Sequence, residues 1–219
     1  ESLGGPFGMV QDPRQGDLFE AGGAEELNLE GADVVVHRHY FLAEDADRYF
    51  NVLRDEVEWK QEEALLFGKR QPIPRLTAWF GDSQGTYTYS GIKMTPTPWT
   101  EVLAEIRDRT GMVAETEFNS VLLNLYRDGQ DSVGWHADDE PELGPEPTIG
   151  SVSLGATRRF HLRPKDGSLE TVSVELHHGD VLVMRGPMQH AWQHQLPKTQ
   201  RIVGPRINLT FRAVELEQA

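Results

Sequence analysis

Short stretches of alternating apolar and polar residues dominate the chain from residue 121 onward. A period of two places successive side chains on opposite faces of an extended backbone, so this pattern predicts β-strands. Turn residues such as glycine and aspartate separate the stretches. The predicted strands are Val121–Tyr126, Ile149–Leu154, Arg159–Leu162, Thr171–Leu176, Asp180–Met184 and Arg206–Arg212.

Two helices are predicted ahead of these strands. From Glu44 to about Glu58, apolar residues recur at helical spacing beneath an acidic outer face. A second helix is predicted to have Thr97 as its N-cap and Pro98 in its first turn, and to end at Gly111. Helices followed by many short strands indicate an α+β fold with a β-sandwich or jelly-roll core that the helices cover.

The first 31 residues differ from the rest of the chain. They are rich in glycine, glutamate and proline and lack periodic apolar positions, so they bury too little surface to offset the entropy of ordering. We expect a mobile acidic tail at 1–31 and a single domain at 32–219. Within the tail, the segment from Gln15 to Phe19 resembles the short peptide by which bacterial repair proteins bind the sliding clamp, although Gly16 stands where that peptide prefers leucine. A tail with two chance hydrophobic residues is the alternative.

Composition restricts the chemistry. The chain has no cysteine, which excludes disulfides, thiolate metal sites and cysteine nucleophiles and makes a reducing cytoplasm the expected compartment. Any metal must therefore use nitrogen and oxygen ligands. No apolar run is long enough to cross a bilayer and no signal peptide is evident, so we expect a soluble protein.

The formal net charge of -14 argues against indiscriminate binding of polyanions, because phosphate contacts need lysine and arginine. The charge is unevenly distributed, however. The segment Arg185–Arg212 contains five basic residues and no acid. A locally basic face on an acidic protein is therefore compatible with the sequence.

His136 and Asp138 form the first candidate site. Because they are two residues apart, both side chains point to the same side of an extended segment. With His194 as a third ligand, two histidines and one carboxylate would leave open positions, the arrangement suited to non-haem iron. Surface or structural roles are the alternative for a His-x-Asp pair taken alone.

The last predicted strand carries the second candidate site. Alternation places Ile207, Leu209 and Phe211 in one layer and Arg206, Asn208, Thr210 and Arg212 in the other. Buried arginines need anionic partners, and arginine is well shaped to bind a carboxylate, so a dicarboxylate ligand would suit this face. Asn124 and Tyr126 share a face in the same way. An exposed strand face with solvated arginines is the alternative.

Together these residues resemble the AlkB family of Fe(II)- and 2-oxoglutarate-dependent dioxygenases that dealkylate nucleic acids. The matching motifs, in order, are Asn124-x-Tyr126, His136-x-Asp138-Asp139-Glu140, Trp192-Gln193-His194 and Arg206-x-Asn208-x-Thr210-Phe211-Arg212. The resemblance covers about residues 65–214. Segments 85–91 and 153–158 are most similar to the subgroup that includes the animal DNA-repair members.

The resemblance implies a double-stranded β-helix (jelly-roll) core and a set of roles. It implies that His136, Asp138 and His194 bind Fe(II). It implies that Arg206, helped by Tyr126, binds the distal carboxylate of 2-oxoglutarate, in a pocket completed by Asn124, Asn208 and Arg212. It further implies that Tyr87 and His136 flank an extruded base, with Asp139 and Glu140 near its edge.

The region at about 60–100 is expected to recognise the nucleotide. A base inside a duplex cannot reach a buried metal, so the enzyme must extrude it or use single strands. Phe67 matches the apolar wedge that the subgroup carries in a hairpin, and Arg75 matches an arginine that contacts the strand. An ordinary core position for Phe67 is the alternative.

The implied reaction uses Fe(II), 2-oxoglutarate and O₂ to oxidise the alkyl carbon on bases of the 1-methyladenine or 3-methylcytosine type in DNA. It releases succinate, CO₂ and an aldehyde, and so repairs the base directly. The same chemistry on RNA, a free nucleotide or a protein is one alternative, and a non-enzymatic metal-binding jelly roll is another. We expect a monomer in the cytoplasm that acts at the nucleoid and does not engage membranes.

Overall fold

Two facing sheets form the core of the protein. The structure is a computed structural model and describes residues 22–66, 68–82, 87–89, 92–94 and 96–215. Within these residues the larger sheet has seven strands in the order β1-β2-β13-β10-β15-β8-β5, and the smaller has four in the order β12-β11-β14-β9. Antiparallel pairing throughout both sheets, with helices on one outer face, is the expected α+β jelly roll.

The strands are β1 Ala24–Glu26, β2 Asp33–His37, β3 Glu63–Leu66, β4 Lys69–Pro72, β5 Leu76–Gly81, β6 Tyr87–Tyr89, β7 Ile92–Met94, β8 Ser120–Tyr126, β9 Val133–His136, β10 Ile149–Gly155, β11 Arg158–Pro164, β12 Val172–Leu176, β13 Val181–Arg185, β14 Trp192–Leu196 and β15 Arg206–Arg212. The helices are α1 Ala43–Glu56, α2 Glu101–Ala114 and the short α3 Met188–Ala191, with a 3₁₀ turn at Pro141–Leu143.

The core is built in two layers on either side of the larger sheet. One layer packs α1 and α2 against the outer face of the sheet, with Leu53 and Ile106 buried against Leu209. The other layer fills the space between the two sheets with residues such as Leu162 and Trp192. Each buried methylene group contributes about 0.8 kcal/mol to the free energy of folding, so these two layers stabilise the sheets that carry the site.

All six strands predicted from alternation are present, with ends that differ by one or two residues. Helix α1 also lies where its periodicity predicted, with Ala46, Tyr49 and Leu53 buried. Alternation did not predict β9 and β14, which are only four and five residues long.

The predicted ends of the second helix were wrong. The N-cap is Thr100, whose side chain accepts a hydrogen bond from the Leu103 amide at 3.2 Å. Thr97 instead pairs with the edge of β5, because its amide donates to Trp79 and its carbonyl accepts from Gly81.

Gly111 does not end this helix, which continues to Ala114 and is capped by Glu115 in the left-handed conformation. A Cβ at Gly111 would lie 2.7 Å from the carbonyl oxygen of Thr116. The glycine therefore allows the chain to fold back closely after the helix rather than stopping the helix itself.

The predicted boundary at residue 31 was also wrong. Residues 24–26 form β1, which pairs with β2, and Leu29 is buried between the sheets. The carbonyl of Glu30 accepts a hydrogen bond from the Trp192 indole at 3.0 Å. Because β1 is an exposed polar edge strand held by its backbone, its side chains give no apolar signal. The folded part therefore begins before residue 32.

Two hairpins stand apart from the sheets. Strands β3 and β4 pair from Glu63 with Pro72 to Leu66 with Lys69, and β6 pairs with β7. Gly68 at the turn of the first hairpin has a φ of 76°, which a glycine adopts without strain. Among the described residues, none of the helices is long and apolar enough to cross a membrane.

Candidate active site

The three predicted metal ligands lie together between the sheets. His136 ends β9, Asp138 follows in the next loop, and His194 stands opposite His136 in the register between β14 and β9. One ligand atom from each lies within 4.8 Å of the others. The chain therefore brings two imidazoles and one carboxylate from two adjacent strands to a single point.

Burial keeps this triad ready to bind a cation. Desolvation lowers the pKa of His194 to about 3, so its ring is neutral and can offer a lone pair. Burial alone would raise the pKa of Asp138, but the charge and hydrogen bond of Arg212, with the neighbouring histidines, together outweigh it, and the net pKa lies below its ordinary value. The carboxylate is therefore charged at neutral pH.

Arg206 lies deeper in the same space. It is 2% exposed, and its Nη2 donates to the Ser153 hydroxyl at 2.9 Å. Its guanidinium carbon lies 5.4 Å from the centroid of the Tyr126 ring. Burial lowers the pKa of Arg206 to about 10, which still leaves it cationic at neutral pH. Its Nε is buried without a hydrogen-bond partner among the described residues, so this cation is suited to bind an anionic group.

The carboxamide of Asn208, on the same strand as Arg206, is held by hydroxyl and backbone groups. Asn208 donates to the Ser151 hydroxyl at 2.9 Å and to the Val152 carbonyl at 3.0 Å. Its own carbonyl oxygen accepts from Thr210 at 3.1 Å. These side chains share one face of β10 and β15, as the alternation in β15 predicted, and they are fixed before any ligand arrives.

Arg212 connects the amide and arginine face to the metal ligands. It is the last residue of β15, and its Nη2 donates to Oδ1 of Asp138 at 2.7 Å. Both side chains are largely buried, at 13% and 4% exposure. One oxygen of the carboxylate is thus engaged by Arg212, and the other is left for an ion.

A single cavity of about 270 Å³ joins these groups. Its lining includes the triad, Asn124, Tyr126, Arg206, Asn208, Arg212, Arg75 and Glu140. Two imidazoles and one carboxylate suit Fe(II), and the deeper buried cation suits the far carboxylate of a dicarboxylate that also chelates the metal. The residues therefore fit both iron and 2-oxoglutarate.

The two acids after Asp138 occupy different environments. Glu140 lines the cavity, and its Oε2 is buried without a hydrogen-bond partner among the described residues. Burial raises the pKa of Glu140, and the nearby charge of Asp138 adds to this effect. Asp139 is exposed and forms an ion pair with Lys165 at 2.7 Å. Only Glu140 of this pair faces the cavity.

Arg75 points inward. Its Nε donates to Oδ1 of Asn124 at 2.7 Å, and its Nη1 lies 3.4 Å from the carbonyl of Ser132. It lines the cavity together with the residues of the amide and arginine face. Arg75 is therefore positioned to join the hairpin region to the cofactor end of the site.

Three sequence predictions lie outside the described residues. These are the wedge residue Phe67, the side chain of Tyr87, and the clamp-like segment from Gln15 to Phe19. The hairpin that would carry the wedge is described on both sides of residue 67, and its second strand places Lys69 and Arg70 in solvent.

Comparison with known proteins agrees with this geometry. Residues 33–212 match the 2OG-Fe(II) oxygenase superfamily. The chain is 38% identical over 238 residues to the DNA oxidative demethylase ALKBH2 of Bos taurus, covering 96% of this chain and 84% of that protein. It is 44% identical over 221 residues to the human alpha-ketoglutarate-dependent dioxygenase alkB homolog 3, covering 95% and 77%. The chain belongs to the 2OG-Fe(II) oxygenase superfamily, in its AlkB branch.

A solved structure of OsALKBH1 has the same fold. The two superpose with a TM-score of 0.62 at 18% identity, covering 87% of this chain and 100% of the other. As a 2OG-Fe(II) oxygenase, the protein uses Fe(II), 2-oxoglutarate and O₂, and the cluster of His136, Asp138 and His194 is the group suited to the metal. The predicted fold class and cofactors are confirmed.

Sequence reasoning missed several residues of this oxygenase site. Ser151 and Ser153 orient Asn208 and Arg206, and their alternation within an apolar strand was a readable signal. Gln189 is fully buried in α3 and contacts the backbone of Asp138. No pattern could have identified it, because a four-residue helix has no periodicity.

Proposed function

We propose that this protein removes alkyl groups from N-alkylated bases of DNA by oxidation, as a direct-reversal repair enzyme. One observation carries the proposal: a single cavity joins the His-Asp-His triad, the buried cation Arg206 and the carboxyl group of Glu140. Relatives at 38% and 43% identity, from Bos taurus and Mus musculus, are named DNA oxidative demethylases.

The proposed roles divide the cavity in two. The metal ligands would be His136, Asp138 and His194, and the 2-oxoglutarate pocket would consist of Arg206, Tyr126, Asn124, Asn208 and Arg212. Burial raises the pKa of Tyr126, so its phenol is a neutral donor beside the guanidinium. When bound, iron supplies, with 2-oxoglutarate and O₂, the oxidation of the alkyl carbon, which leaves as an aldehyde.

The chain's own groups would select the substrate by charge. Adenine alkylated at N1 or cytosine at N3 is cationic at neutral pH, whereas the undamaged base is not. The carboxyl group of Glu140 at the cavity wall has an unused oxygen that could accept from the amino edge of such a base. His136 and Tyr87 would flank the ring, and Asp139 would add negative charge outside the cavity.

Access to duplex DNA would depend on the β3–β4 hairpin. An apolar side chain that fills the space of an extruded base lowers the cost of flipping, and in the sequence Phe67 directly follows Leu66, the last residue of β3. Lys69 and Arg70 are exposed beside it and can face phosphates. Arg75 follows the hairpin and reaches into the cavity.

The decisive experiment is mass spectrometry of oligonucleotides that carry 1-methyladenine or 3-methylcytosine, incubated with Fe(II), 2-oxoglutarate and O₂. Loss of the methyl mass with equal succinate is expected on DNA. Faster turnover on matched RNA or on a free nucleotide would overturn DNA as the substrate. Absence of succinate with every substrate would favour a non-enzymatic metal-binding protein.

The wedge proposal has its own test. Phe67→Ala should lower activity on duplex DNA by roughly tenfold, because unstacking a base costs a few kcal/mol and the aromatic ring offsets part of that cost. Activity on single strands should change little. Leu65→Ala, which removes an exposed apolar side chain from β3, is the matched control. Equal losses on both substrates would contradict the wedge.

Binding to a sliding clamp through the segment from Gln15 to Phe19 is a further proposal that rests on sequence alone. A pull-down with purified clamp should lose the complex when Leu18 and Phe19 are both changed to alanine. Unchanged capture by the double variant would remove the proposal.

A further inference from the structure

Gln189 is a buried polar residue that the proposed chemistry does not use. It lies in α3, between β13 and β14, and its side chain is fully buried. Its carboxamide oxygen accepts from the backbone amide of Asp138 at 2.9 Å, and its nitrogen lies 3.6 Å from the sulfur of Met184. Burying a carboxamide in an apolar core costs free energy unless its oxygen and nitrogen form hydrogen bonds.

The two contacts determine how the amide is oriented. The backbone amide of Asp138 can only donate, so the carbonyl oxygen of Gln189 must face it. The thioether of Met184 is a weak acceptor and therefore takes the amide nitrogen. In the reverse orientation the NH₂ group of Gln189 would face the amide of Asp138, and two donors cannot form a hydrogen bond. The carboxamide is therefore fixed in one orientation.

Asp138 depends on this bond because it lies beyond the end of its strand. Strand β9 ends at His136, so Asp138 is outside the sheet ladder that fixes the first ligand. Gln189 holds its backbone from one side, and Arg212 holds Oδ1 of its carboxylate from the other at 2.7 Å. Backbone and side chain together set the direction of the remaining carboxylate oxygen.

We propose that Gln189 is a positioning residue for the metal centre, which fixes the loop carrying Asp138 so that its carboxylate meets His136 and His194. The proposal rests on the assignment of Asp138 as an iron ligand. Residues that orient metal ligands typically contribute about 10- to 100-fold to metal affinity. Gln189 is not itself one of the residues that line the cavity, so its effect passes through Asp138, which does line it.

The test is the affinity of the protein for Mn(II), measured by electron paramagnetic resonance of the free ion. Gln189→Met keeps the length of the side chain and removes the acceptor. Its Kd for Mn(II) should rise by about 10- to 100-fold. Gln195→Met makes the same change on the outer face of the strand that carries His194, and its Kd should stay near the wild-type value.

A purely structural role for Gln189 would give a different result. In that case the metal-free variant would unfold at a lower temperature while its Kd for Mn(II) stayed the same, and this outcome would overturn the proposal. Should Gln189→Met fail to fold, Gln189→Asn replaces it, because the shorter amide cannot span the distance to Asp138. A wild-type Kd for that variant would equally overturn the proposal.

Because the readout is metal affinity, the test does not depend on the identity of the substrate. Wild-type protein that failed to bind Mn(II) would contradict the iron site and this inference together. Failure to demethylate DNA would contradict only the proposed substrate.

Discussion

The two ends of the active-site cavity are built in different ways. The inner end, formed by Arg206, Asn208 and His194, stands on paired strands, and its residues are between 2% and 8% exposed. The mouth, formed by Glu140 and Arg75, stands on loops beside a hairpin, and Asp139 is exposed to solvent just outside it. In the proposed function the inner end binds the metal and 2-oxoglutarate, whereas the mouth selects the substrate.

The largest effect should come from removing a metal ligand at the inner end. His136→Ala should lower 2-oxoglutarate turnover by roughly 10³-fold or more, since a catalytic metal supplies several kcal/mol and each 1.36 kcal/mol is tenfold. Succinate production measures the effect. His161→Ala, on the outer face of β11, is the control and should retain activity. Full turnover by the His136 variant in a metal-clean preparation would contradict the metal assignment.

The next effect concerns the cofactor alone. Arg206→Met should raise the KM for 2-oxoglutarate by about 100-fold, because a charged hydrogen-bonded pair contributes about 1.5 to 3 kcal/mol. Affinity for Mn(II) should be preserved, which titration of the same variant can measure. Arg201→Met, an exposed arginine, provides the comparison. An unchanged KM would mean that 2-oxoglutarate binds elsewhere.

Changes at the mouth should separate substrate from cofactor. Glu140→Gln should lower activity on 1-methyladenine by roughly tenfold, through loss of a charge-assisted contact. The KM for 2-oxoglutarate should stay near wild type. Comparing rates on a methylated base with those on a neutral alkylated base tests the charge argument. An equal loss on both would show that Glu140 does not read charge.

The smallest effect is expected at the rim. Lys165→Ala removes the exposed ion pair with Asp139, which should change activity by less than about fivefold because such pairs contribute at most about 1 kcal/mol. Steady-state kinetics on methylated DNA measures this. A loss as large as that of the Glu140 variant would mean that Asp139 takes part in binding and would weaken the contrast between the two ends.

The same contrast explains what could be predicted from sequence. Strand β15 alternates strictly, so its two faces were predicted correctly, with Ile207 in the core and Arg206 and Asn208 in the cavity. Strand β1 consists of Ala24, Glu25 and Glu26, all exposed, and pairs with β2 through its backbone, so no alternation of apolar and polar side chains marks it. Thr97 and Thr100 are both plausible caps, and only the bridge from Thr97 to β5 decides between them.

The sequence could not predict which side chains contact each other when they lie far apart along the chain. The ion pair of Arg212 with Asp138 joins residues 74 apart, and the bond from Asp138 to Gln189 joins residues 51 apart. Each depends on how loops close over the sheets rather than on local periodicity. The motifs therefore predicted the candidate ligands but not the groups that orient them.

Strand β9 is four residues long and lies at the edge of the smaller sheet, with β14 as its partner in that sheet. Its last residue, His136, stands opposite His194 on that partner. An ion bound by both rings would therefore link this short edge strand to its neighbour β14. Protein that loses its metal should exchange the backbone amide hydrogens of β9 with solvent sooner than those of β10 or β15. The supply of iron would then affect the stability of this edge strand as well as the activity of the enzyme.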